Sequence, residues 1–304
     1  MKKLIFGFML LFTILLVGCS KEDDYKMSMI APSGAPAMAA AELATTYKDD
    51  YTITMGLEAS SLQTAFVNKE NDVIIAPINL GVNMYNKNQN YVLAAVLTWG
   101  NLFFASQKTD FKLEDMDDAD VIFFGEGTVN AAVVNYVLKE NDITPKNIQY
   151  LGSTQLTQEQ LLTNENAIVL VAEPALTVAK TKDADITSIS VQELYVEASG
   201  ENGFPQAGCF INTNTIKNHK SVVEEFLDRL EASANLCETD TSAVAGYAEN
   251  LNLGGKQAVL TEAIPNCNIK YTKAKDAKAS IEFAVTLNPK LFGGAVPQDE
   301  FYYE

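Results

Sequence analysis

The sequence predicts an α/β fold in which strands and helices alternate in two successive units, each built on a mainly parallel sheet. Short apolar, β-branched runs such as residues 72–76 and 167–172 are typical of strands buried on both faces of a parallel sheet. A helical pattern follows each of these runs. The alternation begins again near residue 121, which favours two lobes of about 80 to 100 residues each.

Each strand is predicted from a short apolar run between turn residues, and each helix from a 3.6-residue period behind a capping residue. The predicted strands cover residues 25–31, 51–57, 72–76, 91–99, 102–106, 121–124, 147–151, 167–172, 186–189 and 209–212. The predicted helices cover residues 37–47, 60–68, 79–85, 128–140, 156–162, a segment from 175, and 191–199. Beyond residue 212 only helices are predicted, over residues 221–235, 242–250, 256–263 and 275–287.

The first nineteen residues have the pattern of a secretory leader. Lys2 and Lys3 precede an apolar run over residues 4–17, which is shorter than the roughly 20 residues that span a bilayer. The small residue before Cys19 and the polar run after it resemble a bacterial lipobox, which implies a signal peptide over residues 1–18 and palmitate or other acyl chains on Cys19. A lipidated tether over residues 19–24 would then hold the protein at the outer face of the cell membrane. An ordinary secretory signal that contains a cysteine is the alternative.

The composition indicates a well-packed protein that does not bind nucleic acid. Of the 304 residues, 47% are hydrophobic, which is ample for a core. Acidic residues outnumber basic ones by 39 to 22, giving a formal net charge of −17, so a phosphate backbone would be repelled.

The residues that most enzymes need are scarce. His219 is the one histidine, and it lies in a polar, lysine-flanked segment, which argues against a Ser-His-Asp triad and against histidine-based zinc sites. The glycine-rich phosphate-binding motifs and the nucleophile-elbow motif are absent. Cys209, Cys237 and Cys267 lack metal-ligand spacing; free buried thiols and a Cys237–Cys267 bridge both remain open. We therefore expect a binding protein, without a cofactor or metal, rather than an enzyme.

Small residues follow the carboxyl ends of several predicted strands. In open α/β sheets ligands bind beyond these ends, where helices begin. Glycine and alanine allow a ligand to approach the backbone, and the first N–H groups of the helices can hold an anion. The loops in question cover residues 33–36, 76–79, 125–128 and 173–175. Ordinary turn chemistry explains any one of them, but four such loops over two units favour a binding cleft.

In their order along the chain these motifs resemble the substrate-binding lipoproteins of ABC transporters. The nearest group binds alkanesulfonates, taurine, nitrate and thiamine precursors. The motifs cover residues 31–36 (APSGAP), 72–79 (DVIIAPIN), 125–128 (GEGT), 172–174 (AEP), 204–208 (FPQAG), 264–270, 288–289 and 296–303. The resemblance implies a type II periplasmic-binding-protein fold, in which a two-strand hinge joins two lobes and the ligand lies between them.

The resemblance also implies domain bounds and a set of ligand-binding residues. Lobe one would comprise residues 25–104 plus 208–304 and lobe two residues 105–207, with crossings near 102–106 and 204–210. The protein would be a monomer that serves a permease and its ATPase. Trp99 is expected either to stack on a ring or to belong to the core. The expected ligand-binding residues are Ser33, Gly34, Ala35, Pro77, Asn79, Trp99, Gly125, Glu126, Gly127, Thr128 and Glu173.

The expected ligand is a small organic solute that the protein captures and delivers unchanged. The lone Arg229 is predicted on a surface helix, so bidentate recognition of an oxoanion is disfavoured. Glu58, Glu126 and Glu173 fall at strand ends or helix starts, which favours a pyrimidine, a thiamine precursor or another nitrogen heterocycle. Favourable placement in a first helical turn is the alternative reading of Glu126 and Glu173. Sulfonate, taurine or nitrate binding, a surface sensor or adhesin, and an enzyme like the pyrimidine synthases of the same fold are the other functions considered.

Overall fold

The computed structural model describes residues 25–57 and 59–304, which form two α/β lobes. The predicted leader and tether at residues 1–24, and Glu58, lie outside the described residues. None of the helices in the described ranges combines the length and hydropathy needed to cross a lipid bilayer.

The described chain alternates strands and helices as far as its middle and becomes mainly helical afterwards. The strands are β1 (Ser28–Pro32), β2 (Thr52–Leu57), β3 (Val73–Pro77), β4 (Tyr91–Trp99), β5 (Leu102–Ser106), β6 (Asp120–Phe124), β7 (Asn147–Leu151), β8 (Ile168–Ala172), β9 (Thr187–Ser190), β10 (Pro205–Asn212) and β11 (Ile269–Lys273). The helices are α1 (Ala35–Met38), α2 (Ala41–Thr46), α3 (Ala59–Asn68), α4 (Ile78–Asn88), α5 (Val129–Glu140), α6 (Thr154–Thr163), α7 (Ala175–Lys182), α8 (Val191–Ser199), α9 (Thr213–Asn218), α10 (Lys220–Thr239), α11 (Thr241–Asn250), α12 (Gln257–Ala263) and α13 (Ala274–Leu287).

The two sheets have equivalent strand orders when both are read from their parallel end. The six-stranded sheet of lobe one is β2-β1-β3-β10-β4-β11, and the five-stranded sheet of lobe two is β7-β6-β8-β5-β9, without a sixth strand among the described residues. In each sheet three consecutive strands of one lobe pair in parallel, β2-β1-β3 and β7-β6-β8. The next strand in each sheet, β10 or β5, follows a segment that has just crossed from the other lobe, and it pairs antiparallel with both of its neighbours.

The two-lobed α/β architecture is as expected, but the sheets are mixed rather than mainly parallel. The crossing strands enter each sheet against the direction of their neighbours, and β11 adds a further antiparallel pair with β4. A run that is buried on both faces reads the same in either direction, so its composition does not report strand polarity. Only helices were expected beyond residue 212. That expectation is wrong, because β11 is a strand in this part of the chain.

Two short links carry the chain between the sheets. Gly100 and Asn101 join β4 to β5, and residues 200–204 join α8 to β10. Gln192 of α8 contacts the second link, because its Oε1 accepts a hydrogen bond from Phe204 N at 3.0 Å. Asn268, just before β11, holds the first link: its Nδ2 donates to Gly100 O, and its own carbonyl accepts from Trp99 N. The expected domain bounds, 25–104 plus 208–304 and 105–207, stay a prediction.

The core of lobe one lies on both faces of its sheet. Alternate residues of a strand point to opposite faces, so Ile74 packs in the cluster that contains α13, and Ile75 in the cluster that contains α10. The first cluster continues into lobe two through Phe104 and Phe123. Aromatic contacts also join the lobes beside the links, where Phe283 of α13 lies 5.7 Å from Tyr136 and 6.0 Å from Tyr195 between ring centroids.

Candidate functional site: a cleft between the lobes

One cleft collects the strand ends of both lobes. Its volume is about 800 Å³, and four turns meet at it, those after β1, β3, β6 and β8. The first two belong to lobe one and the last two to lobe two. The cleft is lined by Pro32, Ser33, Gly34, Ala35, Pro36, Gln63, Pro77, Asn79, Leu80, Asn101, Phe124, Gly125, Thr128, Val129, Asn130, Ala172, Glu173, Phe204, Pro205, Gln206, Ala207 and Phe292.

The cleft brings together most of the residues that the sequence singled out. Since a helix begins within a few residues of the end of each of these four strands, the turns are short and their residues face the gap between the lobes. The predicted residues that line the cleft are Ser33, Gly34, Ala35, Pro77, Asn79, Gly125, Thr128 and Glu173. The predicted residues that do not line it are Trp99, Glu126 and Gly127. A role in ligand binding remains a prediction for all eleven residues.

Trp99 lies outside the cleft. As the last residue of β4 it is only 6% exposed, and it lines a second cavity of about 900 Å³ together with Gln192 and Asn268. Its ring borders Gly203, where a Cβ would lie 3.0 Å from Trp99 Cε3. This placement corresponds to the core alternative for Trp99 rather than to stacking on a ligand ring.

Glu126 and Gly127 lie at the tip of a tight turn. Thr128 closes this turn, because its N and Oγ1 donate to Gly125 O at 3.1 and 2.5 Å. The turn leaves Gly125 and Thr128 at the cleft and exposes the two residues between them. Glu126 instead acts on Tyr150, whose pKa is raised by burial and, to a smaller extent, by the Glu126 charge.

Glu173 lines the cleft and also caps a helix. Its side chain is 5% exposed; Oε2 accepts from Thr177 N at 3.1 Å, and Oε1 accepts from Thr177 Oγ1 at 3.0 Å. The first of these bonds satisfies one of the main-chain N–H groups in the first turn of α7. Burial raises the pKa of the Glu173 carboxyl, and the two bonds from Thr177 act in the opposite direction with less effect. The first turns of α5 and α7 contain no acidic residue, so the first-turn alternative is wrong for both Glu126 and Glu173. Glu173 bonds to α7 from the position before its N-cap Pro174.

Several residues that line the cleft were not predicted from the sequence. Asn101 lies two residues beyond Trp99, which ends a predicted strand, and Phe124 ends another, so the strand-end rule could have found both. Gln206 lies within a motif of the resemblance and was not assigned to the site. Phe292 comes from the C-terminal turn Pro289–Phe292, and nothing local in the sequence indicates that it reaches the cleft.

The lining carries little charge. Glu173 is the one ionisable residue among the described lining residues, which include no lysine or arginine. Arg229 lies on α10 at the protein surface, where it pairs with Asp50 at 2.8 Å and with Glu225, and its guanidinium lies 4.1 Å from the ring centroid of Tyr47. The remaining polar groups are amides and hydroxyls, and the aromatic walls are phenylalanines.

Of the helices of eight or more residues that begin at the cleft, two have no side-chain cap. α4 begins after Pro77 and α5 after Thr128, and neither residue accepts a hydrogen bond from the helix with its side chain. Uncapped first-turn N–H groups bind negative or electron-rich atoms. At α7 the corresponding group, Thr177 N, is already bonded to Glu173. The cleft therefore offers hydrogen-bond donors from the lobes' helices without a fixed positive charge.

Comparisons with known proteins identify the fold. No family model and no curated protein matches the chain. Among solved structures, an ABC transporter protein from Parabacteroides distasonis is 21% identical, with a TM-score of 0.79 over 92% of this chain and 99% of the other. The periplasmic aliphatic sulphonate binding protein of Escherichia coli is 10% identical, with a TM-score of 0.70 over 92% of each chain. A Candida albicans protein that exhibits the generic periplasmic binding protein fold is 14% identical, with a TM-score of 0.55 over 91% and 93% of the two chains.

These likenesses span nearly the whole described chain and hold for both lobes together. At identities this low they report the fold alone. With two mixed sheets, two links and a cleft between the lobes, the chain has the two-lobed type II fold of the periplasmic binding proteins.

Proposed function

We propose that this protein is the solute-binding component of an ABC-type importer, which captures a small organic solute in the cleft and delivers it unchanged to a permease driven by an ATPase. The convergence of four strand-end turns from two lobes on one cleft carries this proposal. The cleft volume of about 800 Å³ lies within the range of small-molecule sites. An ABC transporter protein and an aliphatic sulphonate binding protein share the fold over nearly their full lengths, which supports the same class of function.

Capture would proceed by closure of the two lobes around the solute. A solute that contacts both lobes favours the closed state by its difference in affinity for the two states. The turns at Gly34 and Pro77 supply contacts from lobe one, and those at Gly125 and Glu173 supply contacts from lobe two. The residues named contribute hydrogen bonds and apolar surface, and none of them needs to change the solute chemically.

The lining favours a neutral or cationic organic solute, such as a pyrimidine, a thiamine precursor or another nitrogen heterocycle. Three phenylalanines, Phe124, Phe204 and Phe292, provide aromatic surface for a flat ring. Glu173 supplies the one carboxylate. An anion would meet no lysine or arginine among the described lining residues and would have to enter beside that carboxylate.

A sulfonate, taurine or nitrate is the second candidate class. It is favoured by the uncapped N-termini of α4 and α5 at the cleft and by the fold shared with the Escherichia coli aliphatic sulphonate binding protein. Helix N-termini bind anions through main-chain N–H groups alone. The two classes differ in what they require: the first uses Glu173 and the phenylalanines, and the second uses the helix starts.

A thermal-shift screen of the domain from residue 25 onwards tests the proposal. The panel contains pyrimidines, thiamine and its precursors, purines, amines, sulfonates, taurine, nitrate and bicarbonate. A solute at 100 times its Kd stabilises the folded state by about 2.7 kcal/mol, which raises the Tm by a few degrees. Heterocycle hits support the first class, and hits among sulfonates or nitrate alone support the second. An unchanged Tm with every solute argues against solute binding and favours a surface sensor or adhesin.

A pair of asparagine variants controls for effects unrelated to the cleft. Asn130 lines the cleft on α5, and Asn235 is an exposed residue of α10. Asn130→Ala is expected to reduce the stabilisation by a hit solute, whereas Asn235→Ala is expected to preserve it. Equal responses of the two variants would place the bound solute elsewhere.

We further propose that acyl chains on Cys19 hold the protein at the outer face of the cell membrane. The support is the leader pattern of residues 1–19 in the sequence. Full-length protein expressed in a bacterial host is expected to enter the detergent phase on Triton X-114 partition, and Cys19→Ser is expected to move it to the aqueous phase. Equal partition of the two proteins would leave only an ordinary secretory signal.

A further inference from the structure

Unpartnered buried polar atoms concentrate where β4 leaves lobe one. Within the described residues, seven buried side-chain polar atoms lack a hydrogen-bond partner, and three of them are Thr98 Oγ1, Trp99 Nε1 and Asn101 Oδ1. Buried polar groups are nearly always paired, so an exception needs an explanation. Of these three residues Asn101 alone lines the cleft.

Two other polar atoms of Asn101, Nδ2 and the main-chain carbonyl oxygen, bond to Glu173. Asn101 is 5% exposed; its Nδ2 donates to Glu173 O at 3.4 Å, and its carbonyl oxygen accepts from Glu173 N at 3.1 Å. These contacts set the orientation of the amide. If the amide turned over, Oδ1 would face Glu173 O, and two acceptors would oppose each other. Oδ1 is therefore the side-chain acceptor of Asn101 that is left without a partner.

We propose that Asn101 determines the specificity of the cleft, by accepting through Oδ1 a hydrogen bond from an N–H or O–H group of the solute. This inference rests on the proposed solute-binding function and narrows it to solutes that present a donor at the link between the lobes. An amino-substituted nitrogen heterocycle has such a donor, together with a flat ring for the phenylalanine walls.

The charge near Asn101 also favours a solute with a hydrogen-bond donor over an anion. The carboxylate of Glu173 lies in the same lining, and no lysine or arginine of the described lining compensates it. A sulfonate oxygen at this position would face Oδ1 as a second acceptor. A solute without a donor would leave the buried Oδ1 unpaired, and sites built around a hydrogen bond reject such analogues strongly.

Paired probes that differ only in the donor test the proposal. The probes are adenine, cytosine and 2-aminopyrimidine, each with its N,N-dimethylated counterpart, and ethanesulfonate as the anion. Their Kd values for the wild-type domain are measured by isothermal titration calorimetry. We expect at least one amino probe to bind about tenfold or more tightly than its dimethyl counterpart, and ethanesulfonate to bind more weakly than that probe.

Two matched variants separate the Asn101 bond from steric effects of the methyl groups. Asn101→Leu keeps the size of the side chain and removes Oδ1, so the preference for the amino probe should fall to within about twofold of unity, as in a double-mutant cycle. Asn83→Leu makes the same change at an amide whose Oδ1 is also buried and unpartnered but lies outside the cleft lining, and it should retain the preference. If Asn101→Leu does not fold, Asn101→Ala makes the same test, and equal binding of each amino probe and its dimethyl counterpart by the wild-type protein rejects the inference in either case.

Three results would overturn the inference. A preference that survives Asn101→Leu would mean that another group, or the bulk of the methyl groups, distinguishes the two probes. Tight binding of ethanesulfonate without binding of the amino probes would reject the inference and leave the solute-binding function standing, in its anionic form. Failure of every probe here would reject the inference, and the function itself would fail only if the wider thermal-shift panel also gave no hit.

Discussion

The carboxyl of Glu173 is held by opposing influences. Burial penalises its charged form, and hydrogen bonds from Thr177 N and Oγ1 stabilise that form. Burial prevails, so the pKa of Glu173 is raised. The folded state thus holds this proton more tightly than the unfolded chain does, and ionisation of Glu173 weakens the fold even though the carboxylate caps α7.

The variant Glu173→Gln should therefore become more stable than the wild type as the pH rises. The unfolded-state pKa of a glutamate is about 4.3, and the free energy of unfolding of the wild type falls as the pH rises from there through the raised native value. The variant lacks this loss, and its amide can accept from Thr177 N and donate to Thr177 Oγ1. Thermal unfolding from pH 4 to 8, followed by circular dichroism, should show nearly equal Tm values at pH 4 and a higher Tm for the variant at pH 7.

A difference in Tm that stays constant with pH, or that turns against the variant as the pH rises, would contradict this account. Glu126→Gln serves as the control, because it removes an exposed carboxylate from the neighbouring turn. Its effect on the free energy of unfolding should stay within about 0.5 kcal/mol.

Residues of the cleft were predictable where strand order alone decides their position. Pro77 ends β3 and Thr128 ends the short turn after β6, and the carboxyl ends of parallel strands meet at one edge. The position of a turn beyond a strand end does not tell which of its residues face the ligand. Glu126 was therefore included in the predicted site, although the bonds from Thr128 to Gly125 O leave it facing outwards. Phe292 enters by tertiary packing over a long sequence separation, and no local pattern reports such a contact.

Close packing between α4 and β10 depends on the absence of one side chain. A Cβ at Gly81 would lie 2.0 Å from Phe210 Cζ. The Phe210 ring is fully buried and is held by Phe66 and Phe301, whose centroids lie 5.6 and 6.1 Å away. The ring therefore has little room to withdraw, and the helix approaches the sheet only because residue 81 is a glycine.

Gly81→Ala should destabilise the protein by about 1–3 kcal/mol, because overpacking of the core outweighs the roughly 1 kcal/mol that alanine adds in a helix. Gly246→Ala is the matched control on α11, where the added Cβ meets only the flexible Gln257 side chain, at 3.2 Å. That variant should range from neutral to about 1 kcal/mol more stable. Urea unfolding measures both, and equal effects at the two sites would refute the packing argument.

The elements were predictable where one local period dominates. β4 and β5 have the bounds expected from their apolar runs, and α8 begins and ends as its pattern indicates. β11 was missed because its short segment, Ile-Lys-Tyr-Thr-Lys, carries two lysines and pairs at the sheet edge, with an interrupted register between Ile269 and Thr272. Its pairing with β4 is a long-range contact, and long-range pairing outweighs local propensity in a strand.

The connection between the lobes is packed around Gln192. Phe204 N donates to its Oε1, and a Cβ added at Gly100 or Gly203 would lie 2.4 or 2.1 Å from its side-chain amide. Gln192 thus occupies space that both links leave open. Gly203 has φ of 151°, in a region that is almost reserved for glycine. A change in the angle between the lobes therefore disturbs the contacts of Gln192.

Gly203→Ala should alter the relative position of the lobes as well as their stability. The added Cβ displaces Gln192 and meets Trp99, so we expect a loss of about 1–3 kcal/mol and a changed radius of gyration in small-angle scattering. Gly200→Ala lies in the same link with φ of 70° and has open space around its Cβ. It should lose about 1 kcal/mol and keep the wild-type radius of gyration. A wild-type radius for both variants would show that Gln192 does not control the lobe arrangement.

The position of β10 in the sheet of lobe one determines when that sheet can be completed during synthesis of the chain. β3 and β4 are made early, but each pairs with β10 and not with the other, and β10 follows the whole of lobe two. A chain that emerges from its amino end can complete lobe two while the halves of the first sheet still present open edges. Open edges invite pairing with other chains. The lobe that begins first is thus the last to be finished, and the interval before β10 arrives is when the growing chain most needs protection from aggregation.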